Sequence, residues 1–257
     1  MEALIGKFLI GVMIFIRVTA LLFSAPLFSS NNIPATVRLL IALTVTYIIF
    51  FTIPAQNIDY NSGYGELMLI GFKEALSGFI LGFSLNFVFF GISFAAMLMG
   101  MDMGLNMATM LDPTTEIENN VLGQLFGLAA MVLFLSINGH HYIIRGLAVS
   151  FKIIPIGHFS MNESVFLLLV KGSAGIFIAA VKIVAPLMVA FFLLNIATGI
   201  ISRIIPQMQV FFVIQPVQLM LGFAMLTAGM PLFLYIIKYL LEQVENNLYN
   251  LITAMGY

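Results

Sequence analysis

The stretch ALSGFILGFSLNFVFFGISFAAMLM, residues 75–99, contains no charged side chain. A transmembrane helix needs about 20 mostly apolar residues, because the hydrocarbon core is about 30 Å thick and each helical residue rises about 1.5 Å. Apolar stretches at 8–25 and 37–53 precede it, and another at 121–137 follows it. The sequence therefore predicts an all-α membrane protein of long, bent helices and helical hairpins, with its first apolar stretch retained as a span.

The composition of the whole chain agrees with this prediction. Hydrophobic residues make up 61% of the 257 positions and charged residues 8%, whereas about a quarter of an ordinary soluble domain is charged. The net charge of −1 gives no basic field for nucleic acid. The absence of cysteine excludes disulfides and thiolate chemistry. Lipid or neighbouring subunits must therefore cover much of the surface.

The two apolar stretches near the carboxyl end are less simple. As one straight helix, residues 165–201 would be about 55 Å long, so we expect this stretch to tilt, bend at Pro186 or run beyond the bilayer. Residues 210–237 contain two prolines and two glycines, which make an unbroken helix unfavourable. The remaining residues, 238–257, are amphipathic, and we expect them to lie on the membrane surface.

Positive charges do not give the chain one orientation. Arg38, Arg145, Lys152 and Arg203 fall in connections that simple alternation of spans would place on opposite sides of the membrane. Residues 142–154, which carry two of these charges, are too short and too charged to cross alone. Either the polar connection after Met99 is re-entrant, or the helices do not form an ordinary lipid-embedded bundle.

A methionine-rich segment, MLMGMDMGLNMATM at residues 97–110, overlaps the end of the charge-free stretch. It holds six of the chain's 17 methionines. Flexible thioether side chains adapt to changing shapes, so the segment could plug a pore; the ordinary alternative is that Met replaces Leu on a lipid-facing helix. The glycines, the acidic residue and the following loop favour the plug. The predicted plug residues are Met97, Met99, Gly100, Met101, Met103, Gly104, Met107, Met110, Asp112 and Pro113.

Several charged residues fall within or beside the apolar stretches. Because insertion of a charge at the bilayer centre costs about 2.5–3.5 kcal/mol, such residues normally face protein or a water-filled cavity. Lys171 and Lys182 share a helix face and could form a proton relay, but neither has a carboxylate four residues away, which favours inter-subunit salt bridges or snorkelling. The predicted buried charges or inter-subunit contacts are Arg17, Arg38, Lys73, Glu74, Lys171, Lys182 and Arg203.

No enzyme signature is present in the sequence. His140 and His141 are adjacent and cannot share a helix face, and His158 is distant, so a metal site is not predicted. Asp112 is near no candidate nucleophile or phosphate-binding loop. Glycine pairs such as Gly78 with Gly82 instead predict close packing of helix backbones. We therefore predict no catalytic residue and no cofactor.

The segment NIATGIISRIIPQMQVFFVIQPVQLMLG, residues 195–222, closely resembles the signature of the FliR family. Its core residues here are Arg203, Pro206, Gln207, Phe211, Pro216 and Gly222. The resemblance extends to Arg17, Pro26, Phe28, Pro34 and Arg38, to Lys73-Glu74 with Gly78 and Gly82, and to residues 100–113. The chain is thus identified as a member of the FliR family, whose pattern is shared by the injectisome counterpart, SctT.

The resemblance implies a particular organisation of the chain. Residues 1–160 would form a FliP-like helical part that includes a plug loop at about 100–120. Residues 161–257 would form a FliQ-like hairpin, with helices at 165–201 and 210–241 and an amphipathic tail. Because helices in such an assembly are largely lifted out of the bilayer plane, their charges can pair between subunits.

The resemblance also implies a function and partners. FliR-like proteins form a closed assembly with FliP and FliQ in the bacterial inner membrane, at the flagellar basal body. FlhB is added at its base, and FlhA and a soluble ATPase complex deliver unfolded substrates. The sequence leaves two alternatives: an injectisome export subunit, or a secondary transporter that couples protons through Glu74, Lys171 and Lys182. The transporter predicts an internal repeat, and none is evident.

Overall fold

The computed structural model describes residues 2–29, 33–53, 63–105, 121–205 and 210–256, and within these ranges all regular structure is helical. The helices are α1 Glu2–Ser24, α2 Ala35–Thr52, α3 Tyr64–Asp102, α4 Val121–Ser136, α5 Gly139–Ile153, α6 Glu163–Ile204 and α7 Val210–Met255. Five of them, α1, α2, α3, α6 and α7, are long and apolar enough to cross a membrane, and α4 with α5 across their short break would make a sixth span. The prediction of an all-α membrane protein is confirmed.

Helix α6 is continuous over 42 residues and passes through Pro186. At about 63 Å it is longer than the hydrocarbon core is thick. Its start is set by Asn162, whose side-chain oxygen accepts a hydrogen bond from the Val165 N–H at 2.9 Å and so caps the first turn. The Asn162 amide also donates to the Ala254 carbonyl at 2.9 Å. Asn162 thereby joins the beginning of α6 to the end of α7.

Helix α7 contradicts the prediction that prolines and glycines interrupt the helix over residues 210–237. It is one helix of 46 residues that contains Pro216 and Pro231, and the amphipathic tail continues it to Met255. Each proline removes one backbone hydrogen bond, but in apolar surroundings every further unpaired backbone group is costly. Keeping the helix on both sides of each proline therefore costs less than ending it. Helix α3 also starts earlier than predicted, at Tyr64.

The chain divides into two compact units. The first comprises residues 1–88, 134–173 and 242–257. In it α1 and α3 pack closely, because a Cβ atom at Gly78 would overlap the Arg17 carbonyl oxygen and one at Gly82 would overlap the Ser24 hydroxyl. The Asn86 amide donates to the Ser24 carbonyl beside this contact. The close approach predicted from the Gly78 and Gly82 pair is confirmed.

The second unit comprises residues 89–133 and 174–241. Its buried residues on α6 are Ala180, Val184, Leu187 and Phe191, spaced by four, three and four positions as one face of a helix requires. Aromatic rings pair elsewhere in the unit, Phe94 with Phe177 at 5.0 Å and Phe126 with Phe233 at 6.1 Å between centroids. The predicted division at residues 160 and 161 follows chain order and stays a prediction.

Candidate functional site

The carboxyl end of α3 is closed by a pair of backbone hydrogen bonds around Gly104. The Leu105 N–H donates to the Gly100 carbonyl and the Gly104 N–H to the Met101 carbonyl, both at 3.0 Å. Gly104 has a φ of 75°, a left-handed conformation that glycine adopts without the steric penalty of a Cβ. This arrangement is a Schellman motif, which satisfies carbonyls that the helix end would leave unpaired. It fixes where α3 stops, immediately before residues 106–120.

Helix α7 holds this end of α3 at two points. The Gln215 amide donates to the Gly104 carbonyl at 3.1 Å. Two turns further along, Gly222 makes room for the fully buried Met103, because a Cβ at position 222 would overlap the Met103 side chain. Residues seven apart lie on the same face of a helix. One face of α7 thus contacts both the cap and the methionine beside it.

The described methionines of the segment fall into two groups. Met99 and Met103 are fully buried, whereas Met97 and Met101 are 37% and 50% exposed. Asp102 lies between Met101 and Met103 in the sequence. One of its carboxylate oxygens is buried with no hydrogen-bond partner among the described residues. Four predicted plug residues, Met107, Met110, Asp112 and Pro113, lie outside the described residues. The described structure therefore contains the root of the predicted plug loop, residues 99–105.

Among the residues of the FliR-like signature, Gly222 contacts the plug root, through the side chain of Met103. Pro216 lies inside α7, and Arg203 is exposed on the last turn of α6. Pro206 and Gln207 lie outside the described residues, as does the side chain of Phe211. Gln215, which holds Gly104, was not predicted as a site residue. Its position within the signature segment was the available signal, but nothing in the sequence pointed to a contact 111 positions away.

A second polar site lies in the first unit, where Arg17 and Glu74 form a fully buried, two-point ion pair. The Arg17 Nε lies 2.6 Å from one Glu74 oxygen and Nη2 lies 3.0 Å from the other. The remaining Arg17 nitrogen donates to the Ile154 carbonyl at 3.1 Å. The same carboxylate accepts the Gly157 N–H at 2.9 Å. Two opposite charges can be buried at a tolerable cost when they contact each other at two points and their other polar atoms are hydrogen-bonded, as they are here.

Aromatic packing completes this buried ion pair. The Arg17 guanidinium lies over the Phe151 ring, 4.1 Å from its centroid, close enough for a cation–π attraction. The pair therefore joins α1, α3, α5 and the segment that follows α5. Both charged residues were predicted as in-span charges, but their pairing was not, because they are 57 positions apart.

The other predicted charges are placed differently. Arg38 is half-buried, and its guanidinium donates twice to the Ile33 carbonyl, at 3.1 and 2.8 Å. Lys73 is exposed and donates to the Gly157 carbonyl at 3.3 Å. Lys171, Lys182 and Arg203 are exposed and have no ion pair among the described residues. Lys73 and these three are not buried within the chain, so for them only the prediction of inter-subunit contacts stands.

The contact between Gly222 and Met103 gives a direct prediction. Replacing Gly222 by Leu should lower the stability of the purified chain by about 1–3 kcal/mol, because the added side chain must displace a buried methionine. Gly175→Leu is the control, since a Cβ there meets nothing within 4 Å. Thermal unfolding in detergent measures both variants. Equal unfolding temperatures would contradict the tight contact.

The sequence of this membrane protein matches a known class of export proteins. Residues 8–244 match the family described as "Bacterial export proteins, family 1". The chain is 31% identical to flagellar biosynthetic protein FliR of Escherichia coli K12 over 93% of this chain and 91% of that protein. It is 30% identical to the FliR of Bacillus subtilis 168, over 100% and 99%, and 32% identical to that of Aquifex aeolicus VF5, over 88% and 87%. The chain belongs to the FliR family of bacterial export proteins.

Proposed function

We propose that this chain is a core subunit of the flagellar type III export gate. It forms the closed pore with FliP and FliQ and contributes a plug at about residues 100–120, through which unfolded flagellar proteins cross the bacterial inner membrane. Membership of the FliR family makes the chain a component of the flagellar export apparatus. The pore, the plug and the named partners are the proposed part.

The anchored root of the plug loop is the observation that carries this proposal. A plug must be fixed where it leaves the wall of the pore, so that only the segment beyond that point yields to a passing chain. Gly104 ends α3 in a fixed geometry, and Gln215 binds the Gly104 carbonyl. Met103 is buried against Gly222 at the same place. These contacts support a loop that begins at a rigid point and carries further methionines beyond it.

Exposed apolar surface supports assembly with other subunits. In the most apolar window of α6, and in that of α7, only 22% of the residues are buried. On α6 the side chains of Phe177, Val189, Phe192 and Leu193 are between 55% and 64% exposed. Surface of this kind requires lipid or a partner to cover it. We propose that FliP and FliQ cover part of it, that FlhB joins at the base, and that FlhA delivers substrates.

The transporter alternative is less well supported by the geometry. A relay through Glu74 requires that its carboxylate be available to a neighbouring proton carrier. Glu74 is instead fully buried, with both oxygens bound to Arg17. Lys171 and Lys182 are exposed and contact no carboxylate in the described part of the chain. The injectisome alternative is disfavoured because the similar proteins are named as flagellar.

Deletion of residues 106–118 tests the plug, because it leaves the Gly104 cap in place. We expect the assembled complex to leak ions at rest, with a conductance at least tenfold above that of the unaltered complex. A matched deletion of residues 55–61, in the connection between α2 and α3, is the control and should remain sealed. Co-purification with the FliP and FliQ homologues shows whether each variant assembles. If the variant lacking residues 106–118 assembles and its resting conductance is unchanged, the assignment of these residues as a plug is wrong.

A further inference from the structure

Helix α6 contains one stretch whose length matches the thickness of a bilayer. Residues 183–202, between Lys182 and Arg203, carry no charged side chain. These 20 residues extend about 30 Å, which is the thickness of the hydrocarbon core. Every other window of that length in α6 includes at least one of its four charged residues, Glu163, Lys171, Lys182 and Arg203. Because a charge within hydrocarbon is costly, residues 183–202 are the part of α6 that a bilayer would cover.

Helix α7 runs antiparallel to this stretch in a fixed register. The Gln218 amide donates to the Asn195 side-chain oxygen at 3.2 Å, so these two residues lie at the same level. Asn195 precedes the last residue of α6 by nine positions, and Gln218 follows the first residue of α7 by eight. If the helices ran parallel, these ends would lie about 25 Å apart, and the six peptide units between them reach only about 22 Å. Residues at equal distances from Asn195 and Gln218, in opposite directions along the chain, therefore lie at the same level.

The opposing stretch of α7 is also free of charge. Residues 211–230 lie opposite the charge-free stretch of α6 in this register, and they contain no charged side chain. Tyr235 lies about 6 Å beyond the level of Lys182 along the helix axis, and Lys238 about 10 Å beyond it. Both are exposed, and exposed tyrosines and lysines are typical of the headgroup region. One end of the charge-free stretch is therefore marked by an interfacial tyrosine and two lysines, and the other by Arg203.

The polar side chains of these two stretches, residues 183–202 and 211–230, together called the band, are hydrogen-bonded within the chain. Gln215 donates to the Gly104 carbonyl, and Gln218 donates to Asn195. Three hydroxyls donate to carbonyls of their own helices, those of Thr198, Ser202 and Thr227. Hydrocarbon offers no hydrogen-bond partner, so polar groups in a membrane must be satisfied by the protein. No described polar side chain of the band depends on water for all its hydrogen bonds.

Large apolar side chains form the outer surface of the band. Phe192 and Leu193 on α6, and Met220 and Phe223 on α7, are each more than half exposed. Such a surface needs an apolar cover. Its extent of about 30 Å along the helix axis and the cations at both ends fit the hydrocarbon and the phosphates of a lipid bilayer.

We propose that the bilayer covers the band, with its hydrocarbon against these apolar side chains and its phosphates near the levels of Lys182 and Arg203 on opposite surfaces. Residues 163–181 of α6 then lie outside the hydrocarbon, together with the part of α7 that follows Lys238. This position of the membrane along the chain does not depend on the plug at residues 100–120.

Site-specific fluorescence quenching in the assembled complex tests this position. The chain has no cysteine, so a single introduced thiol can be labelled with bimane without background. Leu193→Cys places the label near the middle of the band, and Met220→Cys places it at the same level on α7. Phe166→Cys is the matched control, because Phe166 is also more than half exposed but lies about 40 Å from Leu193 along α6. All three side chains are exposed, so the substitutions should leave the fold intact.

Lipids brominated near the middle of their acyl chains are the quencher, because bromine quenches only at short range. In such bilayers the fluorescence at Leu193→Cys and Met220→Cys should fall at least about twofold relative to unbrominated lipid, and that at Phe166→Cys should be unchanged. Quenching at one of the two band positions would still place hydrocarbon at this level. Equal quenching at Phe166→Cys would overturn the proposal, because residues 163–181 would then lie in hydrocarbon. Absence of quenching at both band positions would also overturn it, because another subunit would then cover the band.

The edge of the band is tested with a second quencher. Ile200 is exposed and lies about 4.5 Å from the level of Arg203, whereas Leu193 lies about 15 Å from it. Lipids brominated near the headgroup should therefore quench Ile200→Cys more strongly than lipids brominated at mid-chain, and the order should reverse at Leu193→Cys. The same order at both positions would overturn the placement of Arg203 at the membrane surface.

Discussion

Arg17→Met should destabilise the purified chain by about 3–5 kcal/mol, because it leaves the Glu74 carboxylate fully buried without its cation. Arg17→Lys should also destabilise, since an ammonium cannot reproduce the two parallel contacts of the guanidinium or its stacking on Phe151. Thermal unfolding in detergent and the amount of chain recovered from membranes measure the effect. The amount of Arg17→Met recovered from membranes should fall well below that of the unaltered chain, because the loss is a large fraction of an ordinary stability of about 5–15 kcal/mol.

Two comparisons make this prediction specific. In the double variant Arg17→Met with Glu74→Gln, no charge is left buried, so the double variant should be more stable than Arg17→Met alone. Arg145→Met is the matched surface control: Arg145 and Glu245 are 3.2 Å apart but 68% and 41% exposed, and exposed pairs contribute at most about 1 kcal/mol. Additive losses in the double variant, or equal losses from Arg17→Met and Arg145→Met, would show that the buried pair is not coupled as the structure indicates.

Gly78→Ala should be a strongly damaging single-methyl addition in the first unit. The new Cβ would overlap the Arg17 carbonyl oxygen, which is backbone and cannot rotate away. Separating α1 from α3 enough to make room for the new Cβ should cost about 3 kcal/mol, at the upper end of the usual range for overpacking. The separation would also lengthen the Arg17–Glu74 ion pair, which joins the same two helices. The unfolding temperature in detergent and the recovery from membranes should both fall.

A matched variant on the same pair of helices separates overpacking from helix propensity. Gly11→Ala, on α1, adds a Cβ that meets nothing within 4 Å. It should be neutral or stabilising by up to about 1 kcal/mol, because alanine favours helix over glycine. The close approach of α1 and α3 is falsified if Gly78→Ala unfolds at the same temperature as Gly11→Ala.

The helices could be predicted from sequence because their signal is local. Residues 75–99 are apolar without interruption, and α3 contains all of them. Prediction failed at α7, where prolines and glycines are local signals for a break but apolar surroundings penalise the break more strongly. The competing term is a property of the environment, which the local pattern of residues does not contain.

The sites could be predicted only as candidates. Methionine density and glycine spacing singled out residues 97–110, and charge within an apolar stretch singled out Arg17 and Glu74. The contacts of these residues could not be predicted, because their partners are distant in the chain. Glu74 lies 57 positions from Arg17, and Gln215 lies 111 positions from Gly104. Which side chains meet depends on the rotation and register of packed helices, and one sequence without its fold does not specify these.

The length of α7 has a consequence for mapping the chain by reporter fusions. Its 46 residues extend about 69 Å, and even at a tilt of 40°, the upper end of the usual range, they span about 53 Å along the membrane normal. That is more than the thickness of the hydrocarbon core, about 30 Å. Part of α7 must therefore lie outside the hydrocarbon core, and a reporter fused to that part faces water although the helix continues. A fusion map of this chain should therefore mark a membrane span that is shorter than α7.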